Sequence, residues 1–336
     1  MRVIIFSSKE FERPFFERAN ARSNHELVFV EASLSTHTVA LASGFDAVCG
    51  FSNDILDEPV LRELHNLGIR HVALRSAGFN QIDLRVADEL GIVVARVPAY
   101  SPESISEHTL ALILTLNRKT HRAYNRVREG NFSLTGLMGF TVHKKTVGVV
   151  GTGRIGETLV RILTGFGCTV LATDPAPSPA CEQLGARYVE LDELLRCSDI
   201  ISLNCPLTPA THYLIDNNAI DSMKQGVMLI NTSRGAVVDT VALIRGLKSG
   251  KIGSVGLDVY EEEGDLFFQD LSETVIQDDV FSRLLTFPNV LVTAHQAFFT
   301  REAIECIAAA TIQNICGFET GTNAQENLVT TAMLAK

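Results

Sequence analysis

At 336 residues the chain exceeds the usual size of one domain, so two domains on one polypeptide are expected. Its 46% hydrophobic and 20% charged residues are the proportions of a globular protein with a sizeable core. Twenty-nine Lys and Arg against 39 Asp and Glu leave a net charge of −10, which argues against a nucleic-acid backbone as partner.

Short apolar runs alternate with helical patterns along the chain, the mark of parallel sheets with crossover helices. Residues 3–6, 27–30, 47–49, 71–74 and 93–97 read as strands, with Gly44, Gly68 and Gly91 as punctuation. They make a small α/β unit. Ser101-Pro102-Glu103 then starts a helix, with a capping Ser, a first-turn Pro and an acid at the positive end of the dipole. That helix should run to about Arg128, ending before Gly130, and residues 110–114 in its middle are apolar on all sides. Such a helix belongs between layers or between subunits.

A second α/β series opens at Thr146, with strands expected at 147–150, 169–173, 200–204, 227–231, 254–257 and 290–293. A long loop, roughly residues 260–288, separates the last two, and a final helix is expected over about 301–318. Seven scattered cysteines, an odd number, argue against a disulfide framework, and no Cys or His spacing suits zinc, so no metal site is expected. The longest apolar run is too short to span a bilayer, and Met1 leads into a strand pattern rather than a signal peptide, so the cytoplasm is the expected address.

The strand at 147–150 runs directly into Gly151-Thr152-Gly153-Arg154-Ile155-Gly156, which opens an amphipathic helix. Alone, G-x-G-x-x-G is weak, but between strand and helix it reads as a dinucleotide turn. Gly151 permits the tight turn, Gly153 admits the pyrophosphate, and Gly156 lets helix and strand pack. The helix N-terminus supplies donors and positive potential to phosphate. Asp174 ends the second strand of this series, where a carboxylate accepts from both ribose hydroxyls and repels a 2′-phosphate. With no Arg in Pro175-Ala176-Pro177-Ser178, NAD is expected over NADP.

Two residues lie at the carboxyl ends of later strands, where ligands of doubly wound sheets bind. Arg234, in Asn231-Thr232-Ser233-Arg234-Gly235, can grip a carboxylate through two parallel hydrogen bonds. His295, in Thr293-Ala294-His295-Gln296, can deliver the proton that an alkoxide needs. A carboxylate beside it would favour the charged imidazole and fix its tautomer. The residues alone leave Glu261, Glu262 and Glu263 equally eligible.

Together these segments resemble the D-isomer-specific 2-hydroxyacid dehydrogenase family over essentially the whole chain. The family pattern places an Arg after the Asn-Thr strand, a Glu five residues after the Asp of Leu257-Asp258-Val259-Tyr260-Glu261, and a downstream His. Leu74-Arg75-Ser76-Ala77-Gly78, Val97-Pro98-Ala99-Tyr100-Ser101-Pro102, Leu207-Thr208-Pro209 and His295-Gln296-Ala297-Phe298 look most like its fermentative D-lactate branch. The resemblance implies that Arg234, Glu263 and His295 are catalytic. It implies that Arg154 and Ile155 meet the NAD diphosphate, and that Cys205, Pro206, Thr211, Thr232, Ser233 and Asp258 contribute to the NAD site. Ala77 and Gly78 would hold the substrate carboxylate with Arg234, while Tyr100 and Phe298 shape the pocket and Phe51 leaves room for only a small side chain.

The expected architecture is two doubly wound parallel-sheet domains. A Rossmann NAD domain, residues 101–298, is inserted into a flavodoxin-like substrate domain, residues 1–100 and 299–336, with hinges near Tyr100 and Phe298. The expected reaction is pyruvate with NADH to D-lactate. The alternatives are larger 2-keto acids such as phenylpyruvate, or an NADH-sensing binding protein. The latter is disfavoured by the intact catalytic set and by the expectation of no disordered extension at either end. The apolar helix over residues 104–120 suggests a homodimer or homotetramer through the NAD domains.

Overall fold

The computed structural model describes residues 1–333, so the last three residues of the expected 299–336 segment lie outside the described residues. The chain divides into two compact units, Met1–Ser101 with Phe299–Lys336, and Pro102–Phe298.

In the first unit β1 (Arg2–Ile5), β2 (Glu26–Phe29), β3 (Ala47–Gly50), β4 (His71–Leu74) and β5 (Val93–Ala95) pair in parallel in the order 5-4-3-1-2. Alternate side chains of a strand point to opposite faces, and both faces of a parallel sheet are covered. Ile4, Val48, Val72 and Val94 accordingly enter one core with Leu61, Leu64 and Leu84 from the helices Glu58–Asn66 and Leu84–Glu89. Val3, Ile5, Ala47 and Ala73 enter the other, against Ala308, Ile312 and Ile315 of the helix Arg301–Thr320.

The second unit carries β6 (Thr146–Val150), β7 (Thr169–Thr173), β8 (Arg187–Tyr188), β9 (Ile200–Leu203), β10 (Val227–Asn231), β11 (Ile252–Leu257) and β12 (Val290–Val292), all parallel. Their order is 12-11-10-9-6-7-8, which reverses direction between β6 and β9. That reversal is the point where open α/β sheets bind ligands. A last strand, β13 (Leu328–Val329), returns to the first sheet and pairs antiparallel with β5.

Four expectations need correction. The helix expected from Ser101 to Arg128 is two helices, Pro102–Arg118 and Thr120–Arg128. They are broken at Lys119, whose φ is 50° and whose Nζ donates to the carbonyls of Gly136 and Met138. Nor is that helix apolar against neighbours all round. Leu112, Ile113 and Leu116 pack on the second sheet, but Ala111 is exposed. The long loop holds the helix Asp279–Leu285, which Asp278 caps by accepting from the Phe281 amide. The two-residue strands β8 and β13 are too short to show a period of two. Among the described residues, no helix is long and apolar enough to cross a membrane.

Candidate active site

The glycine turn is built by contacts that forbid side chains. Gly151 has φ +92°, and a Cβ there would stand 2.7 Å from the Cys205 amide nitrogen; one on Gly156 would stand 2.0 Å from the Gly151 carbonyl oxygen. β6, the loop after β9 and the following helix are thereby locked together at the reversal of strand order. A Cβ at Gly153 would meet nothing within 4 Å, and no side chain caps the helix Arg154–Gly165 that begins after it. Open space at Gly153 and amides without a side-chain cap suit a diphosphate.

Asp174 follows β7 with both carboxylate oxygens engaged, accepting from the amides of Thr152 at 2.6 Å and Ala176 at 2.8 Å. Each oxygen keeps a further lone pair for a ribose hydroxyl. Tyr188 braces the pair of turns, donating to Thr152 Oγ1 and accepting from the Ser178 amide. After β9, the Asn204 Oδ1 is a buried acceptor without a partner. Burial pushes the neighbouring Cys205 thiol up to about 11, so it is a neutral wall. Pro206 accepts from Thr211 Oγ1 at 2.6 Å, which closes the loop between them. These donors, acceptors and open glycine positions fit NAD.

The chemistry gathers where β11 and β12 end. Of the three consecutive glutamates, Glu263 meets His295, its Oε1 accepting from Nδ1 at 2.7 Å, whereas Glu261 accepts from the Thr240 amide at the start of another helix. Glu263 Oε2 is fixed by the Tyr260 amide at 3.1 Å. With Nδ1 held, Nε2 is the imidazole nitrogen left for a ligand. His295 and the preceding Ala294 both take left-handed backbone, with φ of 57° and 50°. Buried Asp258 supports this turn: its carbonyl accepts from the His295 amide, and its carboxylate accepts from the amides of Gln296 and Ala297. Strained backbone at a functional turn persists only when neighbours over-determine it.

Five residues in this network escape sequence reading, four on the helix Pro102–Arg118 and the fifth, Thr293, facing it. Thr293 Oγ1 donates to Asp258 Oδ1 at 2.7 Å, and His108 Nε2 lies 3.0 Å from that hydroxyl and 3.3 Å from the carboxylate. Thr109 Oγ1 shares a hydrogen bond with Thr232 Oγ1 at 2.9 Å. Ser104 and Ser106 donate to the carbonyls of Ala297 and Ile155. One helix therefore braces the glycine turn, the Thr232 loop and the His295 turn together. Their only signal in the sequence is the polar residues 104, 106, 108 and 109 ahead of the apolar run 110–114.

Burial alone would push the Asp258 carboxyl up, but hydrogen bonds from His108 and Thr293, with charge on His295 and His108, hold it below the ordinary carboxylate range. A depressed folded value means that its contribution is full above the unfolded value of about 3.9 and is lost as pH falls through the lower folded value. Asp258→Asn is therefore expected to cost about 1–3 kcal/mol at pH 7. Thermal melts should show that deficit shrinking below about pH 4. An equal deficit at pH 7 and pH 3 would count against this account.

Arg234 follows β10 in extended conformation, half-buried, and Nη1 donates to the Ser233 carbonyl at 2.7 Å. Asn231 clamps the turn, donating to the Arg234 carbonyl and accepting from the Ser233 amide. In the first unit, Phe51 is buried with its ring 4.7 Å from the Arg75 guanidinium carbon, and its amide donates to Asp54. Gln81 bridges the Phe51 carbonyl and Ser76 Oγ, linking Phe51 to the turn of Ala77 and Gly78. Ala77 accepts from Arg96 and Gly78 from Ser76; Tyr100 is half-buried near the end of the segment. Phe298 belongs to the second unit, its ring centroid 6.5 Å from that of His295. Among the described residues no group of three or more His, Cys, Asp or Glu is placed to hold a metal.

Comparison with known proteins gives the family. Residues 110–297 match the family model described as D-isomer specific 2-hydroxyacid dehydrogenase, NAD binding domain. A 2-hydroxyacid dehydrogenase homolog of Haemophilus influenzae is 52% identical over 98% of this chain and 99% of its own length. The D-lactate dehydrogenase of Escherichia coli is 50% identical over 98% of this chain and all of its own. A solved structure described as the pyruvate reductase of Chlamydomonas reinhardtii superposes with a TM-score of 0.90 at 47% identity, covering 97% of this chain and 98% of that one. The chain belongs to the D-isomer-specific 2-hydroxyacid dehydrogenase family, whose NAD-binding domain it carries in its second unit.

Proposed function

We propose that the protein reduces pyruvate to D-lactate with NADH. The observation that carries this reading is the His295–Glu263 pair set on a braced turn with aromatic rings beside it, which combines a proton donor with little room for a large substituent. Relatives named D-lactate dehydrogenase and pyruvate reductase support the choice of substrate.

In the proposed reaction Arg234 grips the carboxylate of the 2-oxo acid through its guanidinium fork. His295 places Nε2 on the carbonyl oxygen and gives it a proton, while Glu263 stabilises the imidazolium and holds its orientation. NADH, when bound, supplies the hydride to the carbonyl carbon. Asp174 holds the adenosine ribose, the amides after Gly153 hold the diphosphate together with Arg154 and Ile155, and Cys205, Pro206, Thr211, Thr232, Ser233 and Asp258 contribute the remainder of the NAD site. Phe298, beside His295, restricts the substituent to about the size of a methyl group.

The proposal extends to a homodimer or homotetramer formed through the second unit. Its support is a run of exposed apolar side chains after the helix Thr120–Arg128, with Phe132 at 74%, Leu134 at 82% and Met138 at 88% exposure. A monomer at every concentration in a sedimentation dilution series would refute it. The seven free cysteines fit a reducing compartment, and the cytoplasm is the proposed address.

The test of the reaction is NADH oxidation with pyruvate, phenylpyruvate, glyoxylate and hydroxypyruvate. Pyruvate is expected to give the highest kcat/KM by at least about tenfold, the discrimination a small apolar pocket achieves. Dominant phenylpyruvate turnover would overturn the pocket assignment, and no turnover with any of the four would favour a protein that senses NADH.

A further inference from the structure

The segment that connects β11 to the helix Asp279–Leu285 carries two adjacent phenylalanines with opposite fates. Phe267 is buried with Tyr260 and Phe281, its ring 5.9 Å from that of Phe281. Phe268 has φ 65°, a left-handed conformation that an aromatic residue rarely adopts. Its ring stands 5.9 Å from His295 and 6.4 Å from Phe298, and those two are 6.5 Å apart. Phe268 and two rings of the turn 295–298 thus form a nearly equilateral triangle.

We propose that Phe268 is a specificity-determining residue of the 2-oxo acid site, its ring limiting the substituent beyond the carbonyl carbon. This rests on the reading of His295 as the proton donor. Glu263 occupies Nδ1, so a substrate oxygen must approach Nε2, at about 3 Å for proton transfer. Bond lengths of about 1.2 and 1.5 Å then place the first atom beyond the carbonyl carbon only about 2.4 Å from that oxygen. A methyl group ends there. A phenyl group on that carbon extends several ångströms further, the distance at which the Phe268 and Phe298 rings stand from the imidazole.

The backbone explains how Phe268 reaches this place. The amides of Leu266 and Phe267 both donate to the Glu263 carbonyl, so one short turn joins the partner of His295 to the residue before the wall. Phe267 anchors that turn in its own cluster, and the left-handed residue after it takes the next ring to His295 instead. Strain of this kind collects where a site requires it. Trimming Phe268 therefore leaves Glu263 anchored through Phe267.

The experiment compares Phe268→Ala, Phe268→Gly and Phe268→Leu with the parent in two assays. The first is kcat/KM for pyruvate and for phenylpyruvate with NADH. The second is calorimetric binding of D-lactate and of D-phenyllactate to the enzyme–NADH complex, which requires no turnover. The pyruvate-to-phenylpyruvate ratio is expected to fall at least about tenfold in the Ala and Gly variants and about threefold in the Leu variant, with the binding ratio moving the same way. The Gly variant should also keep the parent's Tm, because glycine relieves the left-handed backbone. Ratios within about twofold of the parent in folded variants would overturn the proposal. If Ala and Gly variants do not fold, the Leu variant decides by the same criterion. A parent that turns over no 2-oxo acid would defeat the proposed reaction instead, and the binding assay would still read Phe268.

Discussion

Replacing His295 by alanine is expected to lower kcat for pyruvate by about 100- to 10,000-fold, the usual contribution of a positioned general acid, while NADH binding stays near the parent's. The asymmetry follows from position. The imidazole sits at the end of β12 on a turn held by Asp258, whereas the glycine turn and Asp174 follow β6 and β7 on the other side of the strand reversal. Removing the ring leaves an alkoxide with water as its only proton source and touches none of the groups fitted to the diphosphate and ribose. Glu263→Gln should have a smaller effect, about 10- to 100-fold, because glutamine still accepts from Nδ1 but no longer offsets the imidazolium charge. Groups that act as a unit are not additive, so the double variant should be no slower than His295→Ala. Single-turnover rates with titrated NADH check all three. The assignment fails if His295→Ala keeps a tenth or more of the parent kcat, or if the double variant is slower than His295→Ala by the full Glu263→Gln factor.

How much of this was legible depended on the range over which each feature is encoded. β4, β7 and β10 begin and end where their apolar runs do, because glycines and polar turns bracket them within a few residues. Gly151, Gly153 and Gly156 are equally local, since strand, turn and helix are contiguous. The choice among three glutamates was different, because nothing within residues 261–263 separates them. Geometry does, by bringing Glu263 against a histidine 32 positions away while Glu261 turns to Thr240.

The features that escaped reading are non-local or rest on backbone angles. His108 meets Thr293 across 185 residues, in a helix whose apolar centre pointed to oligomer contacts. The helix also carries Leu112 and Ile113 for the core and Ser104, Ser106, His108 and Thr109 for the loops of the candidate site. Lys119 breaks the expected long helix through bonds to carbonyls 17 and 19 residues on, which no propensity records. Phe268 reads in sequence as one more apolar residue of a long loop. Its positive φ is what turns it toward His295.

Arg234→Gln is expected to cost about 2–5 kcal/mol, or roughly 30- to 4,000-fold in kcat/KM, the usual loss when one partner of a close charge pair is removed. The loss should fall mainly on KM, opposite to His295→Ala. The turn explains why the side chain can be ready before substrate arrives. Asn231 fixes the backbone on either side of it, and Nη1 spends one donor on the Ser233 carbonyl, leaving further N–H groups of the fork for a carboxylate. Gly235 lets this turn lie directly on the segment that leads to Glu263, for a Cβ there would stand 2.0 Å from the Tyr260 carbonyl carbon. One backbone contact thus joins the turn that carries Arg234 to the segment that carries Glu263. Arg234→Lys should recover only part of the loss, because an ammonium keeps the charge but not the two parallel bonds. Calorimetry separates the roles: His295→Ala should still bind D-lactate on the enzyme–NADH complex, and Arg234→Gln should not. Equal D-lactate affinity in both variants would remove Arg234 from carboxylate recognition and return it to a support for its own turn.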